Sequence, residues 1–142
     1  MIVPDINLLV YAYDEEAPHH QAARRWWERV LSDSEIVGLP WVVVVGFVRL
    51  MTHPTLAENP MTVQQVQAAI ASWLERDHVR LLSPSAVTVH RFFALLAQTG
   101  TGGNLATDAM IAALASEYGG CVYSNDRDFS RFPRLVWSNP LE

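Results

Sequence analysis

Short apolar runs alternate with stretches of helical period along almost the whole chain, and this alternation limits the fold more than any other feature. Ile2-Val3, Val79 to Leu82, Cys121 to Tyr123 and Val136-Trp137 are too short for helices and read as strands. Leu8-Leu9-Val10 continues the first run into a turn or helix. Between the strands, helices are predicted over His19 to Leu31, Thr62 to Glu75, Ser85 to Gln98 and Leu105 to Tyr118. Thr62 and Gln65 form the pattern of a capping box, and Gly119-Gly120 ends the last helix. The apolar face of the helix from Ser85 is expected on Val89, Phe92, Phe93 and Leu96. Gly38 and Pro40 read as punctuation before Trp41 to Thr52. There, four consecutive valines favour a strand, whereas Val44, Phe47, Val48 and Met51 share one helical face; the period and the preceding proline decide for a helix. Strands that alternate with helices predict an α/β sandwich with a mainly parallel sheet. Its 142 residues predict a single domain spanning 1–142.

In parallel α/β sheets, ligands bind beyond the carboxyl ends of the strands. Asp5 directly follows Ile2-Val3 and Pro4, Asp126 follows Cys121 to Tyr123, and Asp108 falls in the first turn of the intervening helix. Three carboxylates from distant parts of the chain thus converge on one sheet edge, with Asp128 close by. Singly, each is equally well a helix cap or a turn residue. Together they pose an electrostatic problem. Two ionised carboxylates about 4–5 Å apart repel by roughly 3–4 kcal/mol at an effective dielectric near 20. Either their pKa values rise or a divalent cation binds. A donor set of oxygens alone favours Mg2+ or Mn2+ over zinc. Such an ion keeps waters, one of which can be activated to attack a phosphodiester.

Charge narrows the partners. The net charge is −5, which makes sequence-independent nucleic-acid binding poor. Setting aside Asp5, Asp108, Asp126 and Asp128 removes four of those five negative charges. All ten cationic residues are arginine, so a lysine-dependent phosphate loop and Schiff-base chemistry are excluded, while RNA contact through guanidinium groups is not. The missing lysine also speaks against a phosphotransfer domain. The lone Cys121 cannot form an internal disulfide and fits a reducing cytoplasm, and no apolar run approaches the length of a membrane span. The basic residues of a secretory leader are missing from the N-terminus, so a cytoplasmic location is expected.

Other constellations carry less. The five histidines lack zinc-ligand spacing. Thr99 to Asn104 is glycine-rich but has neither lysine nor a preceding strand, and reads as a connector. No Gly-x-Ser-x-Gly elbow occurs. The five tryptophans read as core or subunit-interface residues.

Four motifs, in order and nearly end to end, resemble those of PIN-domain nucleases. They are Met1 to Leu9, Leu39-Pro40-Trp41 through Phe47-Val48-Arg49-Leu50, Thr107 to Ala115, and Ser124-Asn125-Asp126-Arg127-Asp128-Phe129. The size and the closing Phe132-Pro133 are similar to the VapC-type toxins of bacterial toxin–antitoxin pairs. The resemblance implies an endoribonuclease dependent on Mg2+ or Mn2+, a growth inhibitor held in check by a cognate antitoxin, and a homodimer. It implies that Asp5 and Asp108 are primary metal ligands, that Asp126 completes the cluster, and that Asp128 is an additional or outer ligand. Asn7 and Ser124 would orient ligands or water, and Arg49 would pair with a site acid, contact phosphate, or form a structural ion pair. One position departs from the pattern: Gly46 stands where many relatives carry glutamate. That departure implies one metal on Asp5 and Asp108, with Asp126 outside, rather than a two-metal clamp. It also keeps open an alternative, a weak or inactive PIN-like module that binds RNA or protein without cutting.

Overall fold

A computed structural model describes residues 1–100 and 102–142. Five strands form one sheet: β1 (Ile2–Pro4), β2 (Val37–Pro40), β3 (Val79–Leu82), β4 (Cys121–Tyr123) and β5 (Trp137–Ser138). Six α-helices flank it: α1 (Ile6–Tyr13), α2 (His20–Ser32), α3 (Trp41–Thr52), α4 (Val63–Leu74), α5 (Ala86–Thr99) and α6 (Leu105–Tyr118). A 3-10 turn spans Arg127–Arg131. The strand order is β3-β2-β1-β4-β5 and every pairing is parallel. From the central β1 the chain builds outward through β2 and β3, then returns to lay β4 and β5 on the other side. The order therefore reverses between β1 and β4, the kind of switch point beyond whose carboxyl ends ligands bind in parallel sheets.

The predicted helices form with boundaries shifted by a residue or so. Thr62 and Gln65 make the expected capping box, and Gly119 ends α6 with a left-handed φ of 67°. Trp41–Thr52 is helical despite its valines, because tertiary burial of Val43, Val44, Phe47 and Met51 outweighs strand propensity. Of the glycine-rich connector, Thr101 lies outside the described residues.

Two expectations are corrected. Gly38 and Pro40 do not break the chain before α3; they belong to β2, which is buried along its whole length between β1 and β3. Gly38 is required by close approach, since a Cβ there would lie 2.6 Å from Met1 Sδ and 2.7 Å from Leu82 Cδ1. Pro40 sits at the strand's end and serves as the N-cap of α3. The apolar face assigned to α5 is only partly covered: Phe92 and Leu96 are half-buried against the core, but Val89 and Phe93 are exposed. The helix is also tied down by the buried Thr88, whose hydroxyl donates to Glu117 of α6.

Trp27, Trp73 and Phe47 form the aromatic centre of the core, with Trp73 edge-on to Trp27 and Phe47. Trp73 Nε1 donates to the Tyr13 hydroxyl at 2.8 Å. Trp26 stacks on Tyr123 at the end of β4. Trp41 differs, being 52% exposed.

Candidate active site

Parallel pairing sets the site. Pro4 of β1 is in register with Tyr123 of β4, and Asp5 N donates to Tyr123 O at 2.9 Å. The next residues along each strand, Asp5 and Ser124, therefore leave the sheet side by side at the switch point. Asp5 is the N-cap of α1, its Oδ1 accepting from Ile6 N at 2.7 Å. Its Oδ2 accepts from the Ser124 hydroxyl at 2.7 Å. Both residues are buried. Ser124 Oγ in turn accepts from Asp126 N at 2.9 Å and from Asn7 Nδ2 at 3.3 Å. One donor and two acceptor positions are thus all used, which fills the capacity of a hydroxyl. Asp126 caps the 3-10 turn, its Oδ1 accepting from Asp128 N at 2.9 Å.

Asp108 enters from the first turn of α6. Its carboxylate and those of Asp126 and Asp128 place one oxygen each within 4.8 Å of one another, a spacing that can hold a cation. Asp5 is outside this triplet; it is buried and tied to Asp126 through Ser124. Asp5 also bears directly on Asp108, as the strongest of the neighbouring charges that raise its carboxyl. Ser124 ties Asp5 and Asp126 together, accepting from Asp126 N and donating to Asp5, whose other oxygen accepts from Ile6 N.

The electrostatics arise from crowding. Burial pushes the Asp5 carboxyl above its ordinary range, opposed by the Ser124 and Ile6 hydrogen bonds, with a further upward push from Asp126. Asp108 is raised to about 7, first by burial and then by the charges of Asp5, Asp126 and Asp128. These two acids sit where the sheet order reverses and have no ion-pair partner: the ion pairs among the described residues are Arg24–Glu28 and Arg127–Glu142. Oxygen ligands without a local cation suit a hard divalent ion, so the residues present fit Mg2+ or Mn2+.

Of the supporting residues, Asn7 and Ser124 lie within this network. Arg49 is exposed on α3 and forms no ion pair among the described residues. Gly46 is buried in α3, and the space beside it belongs to Ile6. Asn125, inside the fourth motif, and Asn139 carried no assigned role. Asn125 N donates to Asn7 Oδ1 at 3.5 Å, and Asn139 Nδ2 donates to Asn125 Oδ1 at 2.9 Å. Only the turn-forming Asn139-Pro140 pair hinted at a role for that tail.

Comparison with known proteins agrees with this geometry. A family model for the PIN domain matches residues 2–135. The chain is 35% identical to Ribonuclease VapC33 of Mycobacterium tuberculosis over 141 residues, covering 99% of each chain. It is 35% identical to Ribonuclease VapC37 of the same organism, covering 99% of this chain and 97% of that one. Among solved structures, Mycobacterium tuberculosis VapC20, described as a sarcin-ricin loop cleaving toxin, superposes with a TM-score of 0.71 at 19% identity over 96% of this chain and 99% of that one. VapBC2 from Rickettsia felis, bound to a DNA fragment from its promoter, gives a TM-score of 0.68 at 21% identity over 98% of each chain. With the motifs, the parallel sheet and the acidic cluster in agreement, the chain belongs to the PIN-domain family and, within it, to the VapC ribonucleases.

Proposed function

We propose that this chain is an Mg2+- or Mn2+-dependent endoribonuclease, the toxin of a toxin–antitoxin pair. The observation that carries the reading is the meeting of Asp108, Asp126 and Asp128 within 4.8 Å, with the buried Asp5 tied to Asp126 through Ser124. Asp108, Asp126 and Asp128 would hold the ion, and Asp5 keeps free lone pairs with which to join them or a bound water. When bound, the ion supplies an acidified water and neutralises charge developing on a phosphodiester. The chain's own residues do the positioning. Ser124 fixes Asp5 and Asp126 together, and Asn7 holds Ser124. Arg49, exposed and without an ion pair, is free to meet phosphate.

RNA as substrate is supported by the names of the relatives, which are ribonucleases, and an antitoxin partner by similar structures of VapBC complexes. The family resemblance also favours a homodimer and action in the cytoplasm. No helix among the described residues is long and apolar enough to cross a membrane. Purified, partner-free protein incubated with cellular RNA should yield fragments with Mg2+ or Mn2+ and none with chelator. Fragments that form equally in chelator would contradict the reading. A second reading, a module that binds without cutting, draws on Gly46: Ile6 fills the place where a further acid would stand. Folded, Mn2+-binding protein that leaves every RNA intact would select it.

A further inference from the structure

We infer that Asn139, in the C-terminal segment after β5, is a positioning residue of the metal centre and acts through Asn125. The inference rests on the proposed metal-binding role of the Asp108, Asp126 and Asp128 cluster.

A continuous run of hydrogen bonds leads from the tail to the buried carboxylate. Asn139 Oδ1 accepts from Leu141 N at 3.0 Å, which fixes the orientation of the amide and presents Nδ2 to Asn125 Oδ1 at 2.9 Å. Asn125 N donates to Asn7 Oδ1 at 3.5 Å, Asn7 Nδ2 donates to Ser124 Oγ at 3.3 Å, and Ser124 Oγ donates to Asp5 Oδ2 at 2.7 Å. Asn125 stands between Ser124 and Asp126, so holding its side chain restrains the loop that presents Asp126 and Asp128 to Asp108.

The tail has the footing to act as that restraint. β5 is paired to β4, with Ser124 N donating to Ser138 O at 3.0 Å, and Leu141 packs half-buried against the core. The tail also reaches the loop through Arg127 and Glu142, at 3.1 Å. Their side chains are 81% and 61% exposed, so screening leaves this ion pair little strength. The half-buried asparagine pair is the firmer link.

Groups that orient metal ligands from outside typically change metal affinity by 10–100-fold when removed. Asn139 acts through one intermediary, so the low end is expected. The test is a double-mutant cycle on the full chain with Mn2+ as probe, counting free Mn2+ by its paramagnetic resonance. Asn139→Ala and Asn125→Ala should each weaken Mn2+ binding about tenfold. The double variant should lose no more than the weaker-binding single one. Melting temperatures of all four proteins identify any variant that fails to fold, in which case Asn139→Ser replaces Asn139→Ala. Wild-type Mn2+ affinity in the Asn139 variant, or losses that multiply in the double variant, would overturn the inference alone. Wild-type protein that binds no Mn2+ would overturn the metal reading and the inference with it.

Discussion

Ile6 occupies the space beside Gly46: a Cβ on Gly46 would sit 2.4 Å from Ile6 Cδ1 and 3.1 Å from its Cγ1. The Ile6 side chain thus fills the space a Cβ at position 46 would need, and it must shift before any residue but glycine fits. Helix propensity alone would make Gly46→Ala stabilising by about 1 kcal/mol. Overpacking costs roughly 1–3 kcal/mol and should win. Gly46→Ala is therefore expected to lower stability in chemical denaturation, and Ile6→Val in the same chain should recover part of the loss. A more stable Gly46→Ala would show that the contact is slack.

Ser124→Ala should damage the site more than its size suggests. It strips the buried Asp5 of a donor and Asp126 N of its acceptor at once. Leaving buried polar groups unpaired costs about 1–3 kcal/mol. Equilibrium unfolding should show a loss in that range, together with weaker metal binding. Wild-type values for both would remove Ser124 from its central place.

The raised Asp108 carboxyl makes metal-free stability depend on pH. Its folded value near 7 lies above the ordinary 3.8, so between those limits the folded chain keeps a proton that the unfolded chain has lost. Stability then falls as pH rises from about 4 towards 7 and levels off above it. Asp5, also raised, contributes with the same sign. Denaturation midpoints in chelator should show this decline, and saturating Mg2+ should flatten it, because the ion binds the ionised form. Metal affinity should rise over the same interval.

Thr88→Val tests how α5 is held. The buried Thr88 hydroxyl and the Ser85 hydroxyl both donate to the Glu117 carboxylate, fastening the start of α5 to the end of α6. Hydrogen bonds to a charged group contribute about 1.5–3 kcal/mol. A drop of that order is expected in unfolding experiments, with cleavage at low temperature retained. An unchanged midpoint would mean that the half-buried Phe92 and Leu96 suffice.

Much of this was legible from residue order alone, where local chemistry and the fold agree. Capping at Thr62, the glycine stop at Gly119 and the period of Trp41 to Thr52 each marked a helix because no distant residue had to be known. Asp5, Asp108 and Asp126 could be grouped because parallel strands all point their carboxyl ends to one edge of the sheet. β2 was hidden because its glycine and proline, breakers by local rules, are tolerated for reasons set by Met1 and Leu82 and by the strand's end. Gly46 read as a missing acid, and nothing near it in the sequence showed that Ile6, forty residues away, fills the space beside it. The Asn125–Asn139 bond joins two ordinary loop residues, and nothing in their spacing announces that the tail returns to the site.

The most direct test compares wild type with Asp108→Asn for two quantities: RNA cleavage with Mg2+ or Mn2+, and metal-free melting temperature near pH 8. Asp108 stands among like charges and is proposed as a metal ligand, so its neutral isostere should abolish cleavage while raising the melting temperature. Loss of function with gain of stability is the signature of a carboxylate kept for a cation. Cleavage at the wild-type rate in folded Asp108→Asn would contradict the account.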